Sequence, residues 1–268
     1  MSLPAKLAIV AALERELQPL VHNWPVVEKR HDGRSFRFFE KGRTVAVCGG
    51  IGAEPARRAA EAVIALYAPQ LIYSAGFAGA LDPTLKAADI LVPARVVDAG
   101  DASSVDTGTG HGTLVTFGAV ATPEQKVKLG KAFHAQAVDM EAAAVARAAA
   151  ARGVRFAAVK AISDEAGFAV PGMDRPAVRG RALDGFISPS GEFLTGKFAR
   201  FVMIRPWMWA AALRLARNSR RAARALCAWL DDANRGLNLP ENDLPDPATP
   251  PNHSHNHEMP EKDPRPAL

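Results

Sequence analysis

The sequence has few cysteines and no long hydrophobic segment. Only two cysteines, Cys48 and Cys227, occur in 268 residues, which excludes a disulfide-stabilised scaffold and indicates a reducing compartment. The first apolar run, residues 7–13, ends at Glu14 and is too short for a signal peptide or a membrane span. These features predict a cytoplasmic protein.

Sequence motifs that bind nucleic acids are also missing. The formal net charge is +5, but ten of the 33 basic residues lie after residue 199, eight of them in residues 200–235 beside only two acidic residues, so the basicity is local. No RNA-binding signature, zinc-finger spacing or basic zipper is present, and we predict no nucleic-acid partner. Apolar residues make up 48% of the chain, which is enough for one large core.

Apolar runs of strand length alternate with helix-like segments along most of the chain. This alternation is typical of an α/β fold and predicts a mostly parallel sheet with helices on both faces. We predict one domain over residues 1–199, followed by a basic helical extension over residues 200–235. Residues 236–268 are rich in Pro, Asn, Asp and His, and we predict that they form a disordered tail.

Two acidic clusters lie at the ends of predicted elements. Asp139 and Glu141 lie where a helix is predicted to begin, and Asp164 follows a predicted strand over residues 155–162. Because ligands of open α/β sheets bind beyond the carboxyl ends of strands, these carboxylates are candidates for catalysis. The alternative is that they only cap helices, since acidic side chains are favoured at helix N-termini.

Further polar or flexible groups follow other predicted strands. Glu16 follows the first strand, and residues 49–52 (Gly-Gly-Ile-Gly) join a strand to a helix. Such a turn lets backbone N–H groups approach a ligand, although a plain tight turn is equally consistent with the sequence. Gly76 and Gly79 follow a strand predicted at residues 71–75 and also allow a close backbone approach.

At these positions the chain resembles the nucleoside phosphorylase/nucleosidase superfamily, most closely its methylthioadenosine/S-adenosylhomocysteine nucleosidase branch. The most specific signature is the pair VDMEA (residues 138–142) and AISDEA (residues 161–166), and residues 8–17, 49–60 and 74–92 also match. The resemblance implies a three-layer α/β sandwich around a mixed sheet and cleavage of a purine–ribose N-glycosidic bond. It also implies a homo-oligomer, commonly a dimer. We predict no cofactor and no metal.

The resemblance implies a role for individual residues. Asp164 resembles the general acid that faces purine N7. Glu141 with Met140 resembles the pair that holds the ribose hydroxyls, and Glu16 resembles the carboxylate that positions the attacking water. The remaining predicted substrate contacts are Ile51, Phe77, Ala78, Gly79, Asp139, Ser163 and Ala166.

These residue types suit the chemistry of the reaction. Breaking the C1′–N9 bond places positive charge on the sugar and negative charge on the departing purine. A carboxylic acid that burial keeps neutral can protonate the purine. Such an acid suits adenine, whereas related enzymes use Asn for 6-oxopurines. Nearby carboxylates can then stabilise the sugar cation.

The chain departs from the family pattern at three positions. Phe77 stands where the nucleosidase branch usually has Ser or Thr, Lys160 replaces a common Arg, and Asp139 replaces the usual Glu. Phe77 lacks the hydroxyl that phosphorylases use on phosphate, which favours water as the nucleophile. We predict a nucleosidase that releases adenine from a 5′-substituted adenosine. The alternatives are a phosphate-dependent purine nucleoside phosphorylase and a non-catalytic nucleoside-binding protein.

The C-terminal extension has a basic face and an apolar face at helical spacing. The basic face contains Arg214, Arg217, Arg221 and Arg224, and the apolar face contains Met208, Leu215, Ala222, Leu226 and Trp229. Such a helix either packs on the domain or lies on the inner membrane surface as a peripheral contact. The arrangement is similar to the hopanoid-associated phosphorylase group, which implies adenosylhopane as the substrate. Methylthioadenosine and S-adenosylhomocysteine are the alternative substrates.

Overall fold

The computed structural model describes residues 6–171, 203 and 208–237. The strands are β1 (Leu7–Ala11), β2 (Val26–His31), β3 (Arg34–Lys41), β4 (Thr44–Cys48), β5 (Leu71–Ala80), β6 (Ile90–Leu91), β7 (Arg95–Asp98), β8 (Ser104–Asp106), β9 (Thr113–Thr116), β10 (Ala137–Asp139) and β11 (Arg155–Asp164). The helices are α1 (Glu14–Val21), α2 (Ala53–Tyr67), α3 (Pro123–Phe133), α4 (Ala142–Ala150) and α5 (Trp209–Leu237).

All described strands belong to one sheet with the order β2-β3-β4-β1-β5-β10-β9-β7-β8, and β11 joins it by pairing with β5 and β6. Of the ten strand pairings among the described residues, five are parallel and five are antiparallel. The sheet is therefore mixed, as the family resemblance implies. The predicted mostly parallel arrangement is found at its centre, where β4, β1, β5 and β11 pair in parallel, whereas three of the five antiparallel pairings are hairpins at the edges of the sheet.

Helices cover both faces of the sheet, which gives the predicted three-layer sandwich. Successive side chains of a strand point to opposite faces. Accordingly, Ala8 and Val10 of β1 pack with α2 and α4, whereas Leu7 and Ile9 pack with α1 and α5. The continuous apolar run that begins at Leu7 is thus explained by burial on both faces.

The middle of β5 forms an open edge inside the sheet. The register of β1 with β5 ends at the pair Val10–Ser74, and β10 pairs with β5 only at Gly79 and Ala80. Between these two pairings, the edge of β5 that carries Phe77 and Ala78 borders a cavity. The strand predicted at residues 71–75 is therefore too short. Gly76 and Gly79 do not end β5, because β11 pairs with β5 along its other edge up to Gly79.

Helix α5 packs on the layer that contains α1. Ala222, Leu226 and Leu230 are buried, and the ring of Trp229 meets Tyr73 edge-on at a centroid distance of 5.8 Å. This confirms that the apolar face packs on the domain. The helix continues to Leu237, two residues into the segment predicted to be disordered. The rest of that segment and the boundary predicted at residue 199 lie outside the described residues. None of the described helices combines the length and apolar character needed to cross a membrane.

Candidate active site

A cavity of about 830 Å³ lies beyond the end of β1, beside the ends of β5, β10 and β11. All predicted site residues except Ala166 line it, namely Glu16, Ile51, Phe77, Ala78, Gly79, Asp139, Met140, Glu141, Ser163 and Asp164. Residues that lie far apart in the sequence thus meet in one place. Ala166 lies two residues beyond the end of β11 and is not part of the lining.

Glu16 lies in the first turn of α1, because the helix begins at Glu14, soon after β1 ends. Its Oε2 accepts N–H bonds from Ala12 (3.1 Å) and Leu13 (3.0 Å), and its Oε1 accepts a longer one from Phe77 (3.4 Å). Burial raises the pKa of Glu16 above its usual value, although the Leu13 N–H bond and Lys160 oppose the increase. The carboxylate is thereby fixed at the open edge of β5.

Glu141 precedes the first residue of α4 and receives two backbone hydrogen bonds. Gly52 N–H donates to Oε1 (2.8 Å) and Met140 N–H donates to Oε2 (3.2 Å). Gly52 has a φ of +98°, a conformation that favours glycine. The glycine-rich turn therefore orients a carboxylate of the protein. Burial raises the pKa of Glu141 to about 7; the nearby Asp139 carboxylate adds to the increase and Lys160 opposes it.

Asp139 forms a buried ion pair with Lys160. Lys160 Nζ lies 2.9 Å from Asp139 Oδ2, and its donation to Ser74 Oγ spans 3.1 Å. Asp139 also accepts hydrogen bonds from the Thr116 hydroxyl (2.7 Å) and the Ala142 N–H (2.8 Å). Burial alone would lower the pKa of Lys160, but Asp139 and Glu141 raise it. For Asp139, these bonds favour the helix-capping interpretation over the predicted substrate contact.

Asp164 is the last residue of β11 and is 8% exposed. Its Oδ1 accepts a hydrogen bond from the Ser163 hydroxyl (2.6 Å). Its Oδ2 is paired with the ammonium group of Lys126, a residue that no sequence pattern predicted to lie in the site. No spacing or motif links positions 126 and 164. The one local signal was the Thr122–Gln125 capping box, which fixes the start of α3.

Helix α5 forms one wall of the cavity, which the sequence did not indicate. The wall contains Ala212, Leu215, Ala216, Ser219 and Ala223, together with Arg220 and Arg224. The four arginines predicted to lie on one face are exposed, although Arg224 also borders the cavity. The small and apolar side chains leave space next to the acidic cluster.

The fold and the acidic cavity agree with a comparison of the sequence with known families. The profile of the phosphorylase superfamily matches residues 6–124 and 111–177. The chain therefore belongs to the phosphorylase superfamily. This membership confirms the predicted class, an enzyme that cleaves N-glycosidic bonds. No curated protein sequence matches the chain.

Solved structures with a similar fold include two nucleosidases and a futalosine hydrolase. The 5′-methylthioadenosine/S-adenosylhomocysteine nucleosidase from Helicobacter pylori is 20% identical, with a TM-score of 0.59, and the match covers 86% of this chain and 100% of that one. The futalosine hydrolase of Helicobacter pylori is also 20% identical, with a TM-score of 0.58 and coverages of 85% and 98%. The S-adenosylhomocysteine nucleosidase from Streptococcus pyogenes is 22% identical, with a TM-score of 0.56 and coverages of 85% and 97%. These likenesses establish the fold.

Proposed function

We propose that the protein is a purine nucleosidase that releases adenine from a 5′-substituted adenosine by hydrolysis. The observation that carries this proposal is that Asp164, Glu16 and Glu141 line one cavity although they follow different strands. A structural neighbour from Colwellia psychrerythraea, a methylthioadenosine/S-adenosylhomocysteine nucleosidase, was solved in complex with adenine. That complex supports adenine as the leaving base.

In the proposed reaction, Asp164 transfers a proton to N7 of the purine while the C1′–N9 bond breaks. The bonding electron pair leaves with the base, and protonation neutralises the resulting charge. Positive charge builds up on the sugar, where the carboxylates of Glu141 and Glu16 stabilise it. Glu141 with Met140 holds the ribose hydroxyls, and Glu16 orients the water that attacks C1′. The other predicted contacts, Ile51, Phe77, Ala78, Gly79 and Ser163, surround the base and the sugar.

Water is favoured over phosphate because of the charges at the proposed sugar position. Glu16 and Glu141 both line the proposed sugar position, and in their ionised forms they would repel a phosphate ion there. Like charges at close range disfavour such binding. Phe77 offers apolar area and a backbone N–H that already faces Glu16. Glu16, Glu141 and Phe77 therefore offer no phosphate site at the proposed sugar position, and the arginines of the lining lie on the α5 wall (Arg220 and Arg224) and on α1 (Arg15).

The wall formed by α5 indicates the nature of the 5′ substituent. A cavity of about 830 Å³ is near the upper end of the range for small-molecule sites, about 300–1,000 Å³. Leu215 and Ala216 give this wall an apolar surface. An adenosine with a large apolar 5′ group fits this character, and adenosylhopane is our first candidate. Methylthioadenosine and S-adenosylhomocysteine are the alternatives.

An adenine-release assay with and without phosphate tests the proposal. We expect free adenine and an unphosphorylated sugar from 5′-substituted adenosines, with kcat/KM increasing as the substituent becomes longer and more apolar. Asp164→Asn should abolish release without unfolding the protein, because Asn keeps the shape of Asp but carries no acid. Unchanged turnover in Asp164→Asn would contradict the acid assignment.

The same assay separates the alternative functions. A strict requirement for phosphate, with formation of a sugar 1-phosphate, would identify a phosphorylase. Tight binding of adenosines without adenine formation, even at high enzyme concentration, would identify a nucleoside-binding protein. Equal kcat/KM for adenosine and for its apolar 5′ derivatives would exclude a role of the α5 wall in specificity.

We also propose that the outer face of α5 contacts an anionic membrane surface on the cytoplasmic side. Trp209 and Leu213 are 49% and 71% exposed, and Arg217 and Arg221 are exposed on the same helix. Aromatic and apolar side chains next to arginines are typical of interfacial helices. Such a contact would bring the cavity close to a lipid-like substrate.

Vesicle flotation tests the membrane contact. We expect the protein to float with vesicles that contain anionic lipid and not with neutral vesicles. Arg217→Glu/Arg221→Glu should abolish flotation, while Arg30→Glu/Arg152→Glu, which changes the same charge elsewhere on the surface, should not. Equal flotation of both variants would contradict the proposal.

We also expect a homodimer, which the family resemblance implies. Sedimentation velocity measures the oligomeric state.

A further inference from the structure

Lys126 is a buried lysine beside the proposed acid. It lies in the first turn of α3, where the Thr122 capping box begins the helix, and side chains of helices point back towards the N-terminus. The residue is 2% exposed and still borders the cavity. Its Nζ donates to Asp164 Oδ2 and, over 2.9 Å, to the carbonyl oxygen of Glu165.

The backbone of β5 leaves room for this pair. A Cβ at Gly79 would lie 2.9 Å from Asp164 Oδ2 and 3.1 Å from Lys126 Cε. At these distances the side chains of Asp164 and Lys126 would have to move to make room for the Cβ. The glycine therefore allows the ammonium and the carboxylate to meet against the strand. Burying such a pair carries a large desolvation cost. Apolar side chains would fill the same space without this cost, so packing alone does not explain the pair.

The hydrogen bonds of the pair indicate where its protons lie. Asp164 accepts from Ser163 at Oδ1 and from Lys126 at Oδ2, so both oxygens act as acceptors. An ammonium group has three N–H bonds, and two of those on Lys126 are used by Asp164 and Glu165. A nearby cation also stabilises the ionised form of a carboxylate. In this arrangement the proton needed by the purine is carried by the lysine.

We propose that Lys126 is the source of the proton that the departing purine receives through Asp164. This inference rests on the proposed nucleosidase function. As the C1′–N9 bond breaks and its electron pair moves onto the base, a proton passes from Lys126 Nζ to Asp164, and Asp164 gives a proton to N7. Lys126 is then neutral and Asp164 is again a carboxylate.

The remaining steps restore the charges. Water adds to C1′ through its oxygen and loses one proton, which Glu16 accepts and releases to solvent. Lys126 takes up a proton from solvent when the products leave. The sum is nucleoside plus water giving adenine plus the free sugar, so no further reactant is required.

Two substrates separate a proton source from a residue that only shapes the site. Adenine release needs protonation of the leaving group, whereas 4-nitrophenolate leaves a 4-nitrophenyl riboside without it. We expect Lys126→Met and Lys126→Arg to lower kcat for adenine release by about 100-fold or more, the usual contribution of general acid catalysis. Both variants should change kcat for the nitrophenyl riboside only slightly. Arginine retains the positive charge and the hydrogen bonds, but it does not release a proton in proteins.

Lys128→Met is the matched control, because Lys128 is exposed on the same helix, and it should leave both activities unchanged. Equal losses on both substrates in a variant that melts at the wild-type temperature, or full adenine release by Lys126→Arg, would overturn the inference.

If neither variant folds, a measurement on the wild-type protein tests the inference. Adenine release by the wild type should show a solvent deuterium isotope effect that requires two protons in transit, and an effect from a single proton would overturn the inference. A wild type that releases no adenine would instead refute the proposed function.

Discussion

Gly79 and Asp164 are paired in register where β5 and β11 end, and a methyl group on Gly79 would lie 2.9 Å from Asp164 Oδ2. The same methyl group would lie 3.1 Å from Lys126 Cε. A backbone position in one strand thus sets the place of the acid in the next strand. The close approach requires the absence of a side chain, because protein interiors are closely packed and have little room to adjust.

The first prediction concerns this contact. We expect Gly79→Ala to displace the Asp164–Lys126 pair and to lower kcat for adenine release by about 100-fold, since small displacements of catalytic groups have effects of this size. Gly118→Ala is the control, because a Cβ at Gly118 meets no atom within 4 Å. Steady-state kinetics and a crystal structure of the variant measure the effect. Wild-type activity in Gly79→Ala would show that the pair tolerates the displacement.

The second prediction concerns the ribose contact of Glu141. Glu141→Gln keeps the size of the side chain but removes its charge, so one of its two oxygens is replaced by a donor. We expect the affinity for adenosine analogues to fall by about tenfold or more, as for the loss of a hydrogen bond to a charged group, while the affinity for free adenine changes little. Titration calorimetry measures both. Glu61→Gln, on α2, is the control. Equal losses for adenine and the analogues would contradict the ribose contact.

The third prediction follows from the pKa of Glu141, which burial and Asp139 raise to about 7. Below this pH the side chain is largely protonated and accepts hydrogen bonds from ribose hydroxyls less well. We therefore expect kcat/KM to increase between about pH 6 and pH 8, as Glu141 of the free enzyme loses its proton. The increase should disappear in Glu141→Gln. An increase of the same size in that variant would assign it to another group.

The same pKa also affects stability. Glu141 binds its proton more tightly in the folded state than in the unfolded state, so the stability that this proton contributes is lost as the pH rises through about 7. Glu16, whose pKa burial also raises, acts in the same direction. We expect the free energy of unfolding to fall by on the order of 1–3 kcal/mol between about pH 5 and pH 8. Urea denaturation measures this, and Glu141→Gln should reduce the slope.

The next prediction concerns the pair formed by Asp139 and Lys160. Lys160→Met leaves the Asp139 carboxylate buried without its cation, which should lower the free energy of unfolding by about 3–5 kcal/mol. In the double variant Lys160→Met/Asp139→Asn neither member of the pair carries a charge, and Asn can still accept the Ala142 N–H. We therefore expect the double variant to recover most of the loss in urea denaturation. A double variant as unstable as Lys160→Met would contradict the charge explanation.

The position of the three carboxylates could be predicted from the sequence because it depends on a general property of α/β sheets. Strands end at a common edge, and acidic residues that follow several strands meet there. The family resemblance supplied their roles. The element boundaries were less well predicted. β10 is only three residues long, and the glycines of β5 resemble a turn when their pairing with β11 is unknown.

The contacts that the sequence did not predict all join distant elements. Lys126 reaches Asp164 because α3 packs on β9 and β10, close to the end of β11, and no local pattern encodes that distance. Similarly, the amphipathic pattern of α5 predicted a packed face but not that Ala212 and Ala216 border the cavity. The glycine-rich turn left two alternatives open, and its Gly52 N–H binds a protein carboxylate.

The last prediction tests whether the wall formed by α5 selects the 5′ substituent. Ala212 and Ala216 border the cavity, and a tryptophan at either position would fill space that a large apolar group needs. We expect Ala216→Trp to lower kcat/KM for long apolar 5′ derivatives by about 10–200-fold, the range for hydrophobic selection in a pocket, and to change kcat/KM for adenosine little. Ala228→Trp, at an exposed position of the same helix, is the control and should leave both values unchanged. If Ala216→Trp lowered both values equally, the substitution would act on the base or ribose position, and the apolar group would have to bind elsewhere.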